Sequence, residues 1–256
     1  MDPKLDFAIR EVVVANRILA HENVTDASGH VSARHPLYPD RFLISWSRSP
    51  EIVTREDIME VGLDGTPLNG DTRPPYQERY IHAAIYAARP DVNAVVHAHP
   101  EEVLPFSVTG EPLRALISSA SMVGTGVPTW DIADHFGDHT SLLVETLEQG
   151  QDLAEFLGGR NMVLMAAHGI AAACPTMIEV VRLSVYAARN ARVQLAAMSF
   201  GKKIRFMKEG EINARKAGAY FAADSHGIYR AWEYWAKRAG CLDQLPPRDE
   251  ETLRPH

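Results

Sequence analysis

Asn93-Ala-Val-Val-His97-Ala-His99-Pro100 is the stretch around which the rest of the chain is organised. It reads as a short apolar strand that ends in two histidines. Side chains alternate faces along a strand, so positions i and i+2 point the same way. His97 and His99 are therefore expected on one face at the strand's end, where two imidazoles can share one metal ion if a third ligand arrives from elsewhere. Taken alone, a His-x-His is equally consistent with two ordinary strand-end histidines, so the decision rests on the residues around it.

Upstream, apolar positions at Phe7, Ile9, Val12, Val13, Ile18 and Leu19 have helical spacing and predict an opening helix over Leu5 to His21. A turn-rich stretch, Asn23 to His30, leads into two strands, Val31 to Arg34 and Arg41 to Ser45, joined by a Pro-containing loop. A third strand, Ile58 to Leu63, follows, and such short early strands suggest antiparallel pairing. The connector Asp71-Thr-Arg-Pro-Pro75 opens a helix from Tyr76 to Ala88, stopped by Arg89-Pro90. Downstream, Glu101 to Val108 reads as a short helix and Gly124 to Trp130 as a turn or short strand. A helix is expected over Leu142 to Leu157, then a buried strand over Arg160 to Ala166, the turn Ala167-His168-Gly169-Ile170, and a strand over Ala171 to Cys174. Pro175 is expected to open a long helix to about Phe200, with Ala187, Ala188, Ala191, Ala196 and Ala197 as a close-packing face. Helices near Glu209 to Ala223 and Gly227 to Lys237 end the chain, and Leu245 to His256 reads as a loose polar tail. No linker divides residues 1–256, so they read as one domain with helices covering a mixed sheet.

The chain has 256 residues, 26 Lys and Arg against 33 Asp and Glu, and a net charge of −7. That balance argues against nucleic acid as the main partner; Gly201-Lys-Lys-Ile-Arg205 is too small a basic cluster to reverse it. Cys174 and Cys241 have neither metal-ligand nor disulfide-framework spacing. With no leader-like start and no long apolar run, the expectation is a cytoplasmic protein without a membrane partner.

Two further residues can complete a site. His168 follows a buried strand and precedes Gly169, which allows a sharp turn toward the same cleft. Glu78 falls in the expected first turn of the Tyr76 helix, where the helix dipole favours a carboxylate. His82, four residues on, shares its helix face and reads as a buttress to Glu78 or a core histidine.

These motifs together resemble the class II aldolase/adducin family. Glu78 to Tyr86 fits E-x-x-x-H-x-x-I-Y, Ala88 to Val92 fits A-R-P-D-V, and the V-V-H-x-H and x-x-H-G motifs follow in order. The resemblance runs from about Leu5 to Leu195. It implies an α/β/α three-layer sandwich around a mixed, largely antiparallel sheet, and a homo-oligomer, a tetramer or higher. It also implies metal ligation by His97, His99 and His168, with acid/base work by Glu78. Where sugar-phosphate aldolases of the family carry Gly-Asn, this chain has Gly29-His30. Where they carry a small-residue phosphate loop, it has Ser45-Trp46-Ser47-Arg48-Ser49-Pro50. Such a cradle prefers small residues; Trp46 and Arg48 make this one bulky and cationic. Arg48 can grip a carboxylate with two parallel hydrogen bonds, and Ser47 joins it as a substrate-binding candidate. Asp26 to Pro36 and Pro74 to Arg79 look like the subgroup of metal-dependent decarboxylases of hydroxylated aromatic or pyridine dicarboxylates.

That resemblance implies a divalent-metal-dependent decarboxylase acting on a small-molecule hydroxylated aromatic carboxylate. Protonating the ring carbon first turns an ortho-hydroxy acid into a β-keto acid, from which CO₂ departs as electrons flow to the former hydroxyl oxygen. Glu78 is the proton carrier and His30 the second candidate. A helix start and a nearby cation lower a carboxyl pKa while burial raises it, and the sequence leaves that balance open. Three imidazoles without a thiolate do not select one ion; a two-oxygen chelate favours Mn²⁺, Fe²⁺ or Co²⁺ over Zn²⁺, with Mn²⁺ first and Zn²⁺ retained. Tyr229, in the aromatic stretch His226 to Trp235, is a candidate for reaching a neighbouring subunit's site. The alternatives are a class II aldolase, a non-haem Fe²⁺ oxygenase and an adducin-like scaffold; retention of all three histidines with Glu78 ranks the scaffold last.

Overall fold

A computed structural model describes residues 1–218 and 226–245. The end of the expected Glu209 to Ala223 helix and nearly all of the expected tail lie outside these described residues. Helix α1 (Pro3–His21) starts where the Asp2 carboxylate accepts the Lys4 N–H at 2.8 Å. Strands β1 (His30–Arg34), β2 (Arg41–Ser45) and β3 (Ile58–Gly62) follow as an antiparallel meander. Next come α2 (Arg79–Ala88), β4 (Ala94–Ala98), α3 (Leu104–Thr109), β5 (Thr129–Trp130), α4 (Ala133–Phe136) and α5 (Leu147–Leu157). The hairpin β6 (Met162–Met165) and β7 (Gly169–Cys174) precedes α6 (Met177–Ser199), α7 (Glu209–Ala217) and α8 (His226–Arg238).

Among the described residues seven strands form one sheet in the order β3-β2-β1-β4-β7-β6-β5. Every neighbouring pair is antiparallel except β5 and β6, so the sheet is mixed and largely antiparallel, as expected. β4 lies at its centre, buried along its whole length. Strand alternation sorts its neighbours into two cores. Val96, Ala98, Leu164, Ala172 and Cys174 face α1, α6 and α8; Val95, Val163, Ala171 and Ala173 face α2 and α5. The α/β/α sandwich is thus present, and each fully buried valine of β4 contributes about 1.5–3 kcal/mol to it. His97 continues the Val95 parity and points toward the α2 and α5 layer.

Several helix boundaries differ from the sequence expectation for local reasons. α2 begins at Arg79, because the Pro74-Pro75 connector is followed by a turn at Gln77 and Glu78, with Glu78 at φ −86° and ψ 19° standing just before the helix. α5 begins at Leu147, where Thr146 and Gln149 close a reciprocal capping box. α6 is capped by Thr176, whose Oγ1 accepts the Glu179 N–H at 3.2 Å, so Pro175 stands before the helix rather than in its first turn. Ala187, Ala188 and Ala191 pack into the core, whereas Ala196 is exposed. Among the described residues no helix is long and apolar enough to cross a membrane.

Candidate metal centre

β4 delivers His97 fully buried, with its Nδ1 3.0 Å from the Ile170 carbonyl oxygen of β7. A carbonyl only accepts, so His97 Nδ1 carries a proton, and in the neutral ring Nε2 is left free to bind a cation. His99 repeats the pattern just past the strand, with Nδ1 3.2 Å from Asp26 Oδ1. The two Nε2 atoms approach to 2.9 Å. Two lone pairs facing at that distance repel unless an electrophile joins them.

His168 enters from the β6–β7 turn. Its ring stacks on His99 at 5.1 Å and meets His97 edge-on at 4.9 Å. Gly169 acts here by a different means from the sharp turn expected of it. The positive backbone φ of 53° belongs to Ala167. Gly169 instead lets the hairpin press on β4: a β-carbon there would collide with the Ala98 carbonyl oxygen and lie 2.9 Å from His99 Cδ2.

Glu78 is the residue before α2, not a member of its first turn, and its side chain does not cap the helix. Its Oε1 accepts the Val144 N–H at 3.0 Å, while Oε2 lies 3.2 Å from His97 Nε2 and 3.5 Å from His168 Nε2. Burial pushes this carboxyl up, but the charges and hydrogen bonds of His97 and His168 outweigh burial and hold it well below the usual carboxylate range. Glu78 therefore rests ionised. Burial, with His97 next, lowers the pKa of His99 against the pull of Asp26.

The four side chains offer ligand atoms all within 4.8 Å of one another. The set is three nitrogens and one oxygen without a thiolate; His97 and His99 are oriented by a carbonyl and a carboxylate behind them, whereas His168 Nδ1 is buried without a hydrogen-bond partner among the described residues. Such outer partners fix metal-binding histidines. The residues fit a divalent cation: without one, protons on the imidazole Nε2 atoms join His97 and His168 to the Glu78 carboxylate, and a cation would take the place of those protons among the same atoms.

His30 also reaches this region. It pairs with His97 in the β1–β4 register, and their rings are 5.1 Å apart. Its other neighbours are Tyr76, at 4.4 Å between rings, and His82, whose Nε2 lies 2.7 Å from His30 Nδ1. His82 is a buttress, but to His30: its second nitrogen meets Ser32 Oγ at 2.6 Å, and Ser32 Oγ meets the Tyr86 hydroxyl at 2.9 Å. Burial, then the charges of His82 and His97, holds the His30 pKa well below its ordinary value. Burial and His97 take that of His82 to about 3, so both rings are neutral.

The remaining candidates sit apart from the cluster. Arg48 Nε donates to the Ile52 carbonyl at 3.2 Å and pairs with Asp57 Oδ2 at 3.0 Å, and the guanidinium lies over the Trp46 ring. Tyr76 links this loop to His30, since its hydroxyl donates to the Arg48 carbonyl. Ser47 is exposed, with its N–H bonded to the Pro74 carbonyl at 2.9 Å. Tyr229 packs on the α1, α6 and α8 core, across the sheet from His97. Asp26, Tyr76 and the inner residues Ser32 and Tyr86 were not expected to take part. Asp26 carried one signal, its position three residues before Gly29, whose N–H it accepts at 3.1 Å.

Comparison with known proteins agrees with this geometry. Residues 10–195 match the family model described as Class II Aldolase and Adducin N-terminal domain. Decarboxylase tropJ of Talaromyces stipitatus is 30% identical over 251 residues, covering 90% of this chain and 92% of that protein. The 3,4-dihydroxyphthalate decarboxylase of Arthrobacter keyseri is 27% identical over 217 residues, covering 78% and 83%. A crystal structure of an aldolase II superfamily protein from Pseudomonas syringae superposes with a TM-score of 0.77 over 96% of this chain and 97% of that one, at 21% identity, a likeness of fold. With the domain model matched over residues 10–195 and a relative 30% identical across most of both chains, the chain belongs to the class II aldolase/adducin family.

Proposed function

We propose that the protein is a divalent-metal-dependent decarboxylase of a hydroxylated aromatic or pyridine carboxylate. The observation that carries the reading is the convergence of three imidazoles on the ionised Glu78, with Glu78 and His97 buried and His99 and His168 half-buried. The similarity to two decarboxylases, one of them named for a dihydroxyphthalate, supports carboxylate loss as the reaction and a hydroxylated ring as the substrate.

His97, His99 and His168 would hold the ion through Nε2, with Glu78 Oε2 beside them; Mn²⁺ is the first choice and Zn²⁺, Fe²⁺ or Co²⁺ the alternatives. When bound, the cation supplies a Lewis acid for the negative charge that grows on the substrate's phenolic oxygen as CO₂ leaves, worth several kcal/mol. Glu78, ionised at rest, takes the phenolic proton and returns it to the ring carbon that bears the carboxylate. The Val144 N–H pins Oε1 and leaves Oε2 to carry that proton. His30 and the buried Tyr76 wall the pocket against water. Arg48 and Ser47, on the loop tied to Tyr76, would receive a second carboxylate of the substrate. Tyr229, on the far helical layer, would serve the site of a neighbouring copy in a homotetramer.

The test is a screen of hydroxylated aromatic and pyridine dicarboxylates with Mn²⁺, Zn²⁺, Fe²⁺ and Co²⁺, reading CO₂. Metal-dependent CO₂ release without oxygen uptake is expected. Aldehyde formation from a hydroxylated carbonyl compound, or strict oxygen dependence with Fe²⁺, would replace this reading with aldol cleavage or oxygenation.

A further inference from the structure

The hydrogen-bond series Tyr86, Ser32, His82, His30 is built entirely of buried groups and ends at the candidate site. Its direction follows from donor chemistry. A phenol is a stronger acid than an alcohol, and an alcohol oxygen is the better acceptor. The Tyr86 hydroxyl therefore donates to Ser32 Oγ across 2.9 Å. Ser32 then gives its own proton to His82 Nδ1, a strong acceptor at 2.6 Å. With Nδ1 accepting, the neutral His82 ring carries its proton on Nε2 and donates it to His30 Nδ1 at 2.7 Å. The His30 proton is then left on Nε2. Among the described residues that atom has no hydrogen-bond partner, and it is not one of the sealed, unpartnered polar atoms.

We propose that Tyr86, Ser32 and His82 are positioning residues that lock His30 as the Nε2–H tautomer, so that it presents a neutral hydrogen-bond donor to the substrate beside the metal ligands. The group it suits is an oxygen acceptor, a carboxylate or phenolic oxygen, held next to His97. No charge changes hands in the resting series: reversing all the bonds would turn His30 Nε2 into an acceptor, and the phenol at the inner end, a better donor and poorer acceptor than the Ser32 hydroxyl, favours the direction given. A neutral donor suits a buried pocket, where an imidazolium would carry a desolvation cost. Cooperative polarisation along the three bonds strengthens the terminal donor.

The role of the donor in turnover rests on the decarboxylase reading; the tautomer does not. The test is therefore read on zinc-loaded, substrate-free protein, labelled with ¹⁵N in its histidine rings, with the His30 signals assigned by their loss in His30→Gln. Wild type is expected to show His30 protonated on Nε2 and bare on Nδ1. In Ser32→Ala the donor to His82 Nδ1 is gone, and a substantial Nδ1–H population of His30 should appear. Tyr86→Phe, which keeps the ring and the Ser32 hydroxyl, should fall between the two. In turnover, Ser32→Ala should lower kcat about tenfold with KM changed less. A wild-type His30 protonated on Nδ1 overturns the proposal whatever reaction is catalysed and whether or not the variants fold. A wild-type Nε2–H signal with no CO₂ from any substrate supports the lock and counts against the decarboxylase reading alone.

Discussion

Replacing Gly169 with alanine should loosen the metal centre without touching a ligand. The added β-carbon would run into the Ala98 carbonyl oxygen and stand 2.9 Å from His99 Cδ2 and 3.2 Å from the Ala98 carbonyl carbon. Two of those three atoms are backbone of the central strand, locked by the β4–β7 ladder that includes the Ala98–Ile170 pair. The obstruction cannot rotate aside, so the cost falls at the upper end of the overpacking range, about 3 kcal/mol. For a chain of this size that is a fall in Tm of about 6–12 °C. Relief by hairpin movement carries His168 away from His97 and His99, so metal affinity should fall with stability. Two companions grade the effect. In Gly29→Ala the nearest atoms are Thr25 Cγ2 at 2.7 Å and Cβ at 2.9 Å, with the His97 carbonyl oxygen at 3.2 Å, and the loss should be about 2 kcal/mol. In Gly159→Ala no atom lies within 4 Å, and stability should hold or rise by a few tenths of a kcal/mol, about the gain from a stiffer unfolded chain. Thermal melts with and without Zn²⁺, together with bound-metal analysis, read all three. A Gly169→Ala protein that melts within about 2 °C of wild type and keeps its metal would refute the packing argument.

Three other perturbations test separate parts of the account. Glu78→Gln should lower kcat by at least about 100-fold yet keep most of its metal, since the three imidazoles remain; near-normal turnover removes Glu78 from the chemistry. Arg48→Ala should raise KM for a dicarboxylate about tenfold with kcat nearly unchanged, and an unchanged KM dismisses the carboxylate clamp. Glu11 on α1 has its carboxyl pushed up to about 8 by burial. Its folded pKa exceeds the unfolded value of about 4.3, so stability is fullest below that pH and declines as pH rises toward about 8. Glu11→Gln should flatten the fall in Tm between about pH 5 and pH 9; parallel curves for the two proteins would show that Glu11 ionises freely in the folded state.

The strand reading of Asn93 to Pro100 carried most of what the structure contains. Alternation alone predicts that His97 and His99 share a side of a short apolar strand; that the strand is buried along its whole length is seen only in the structure. The local pattern left out which strand lies opposite. His30 sits beside His97 only through antiparallel register between segments more than sixty residues apart. For the same reason the sequence offers His82 as a buttress to Glu78 or a core histidine; it is fully buried, and its partners stand on β1. Gly169 was read as a turn residue because glycine suits turns; its real constraint, the pressure of Ala98 and His99, is visible only in three dimensions. The prolines at 74 and 75 mark where a helix can open but not the turn at Gln77 and Glu78 that comes first, so the sequence puts Glu78 in the first helical turn and the structure puts it just before. The Arg48 loop was legible as cationic, though not as already holding Asp57.

The central claim is that three imidazoles beside Glu78 bind a divalent cation, and its most direct measurement is bound metal per chain after equilibration with Mn²⁺ or Zn²⁺ and removal of free ion. The account predicts about one ion per wild-type chain, retained in His30→Ala and lost in His97→Ala, His99→Ala and His168→Ala. An ion that stays bound in full after His97 is replaced would contradict it.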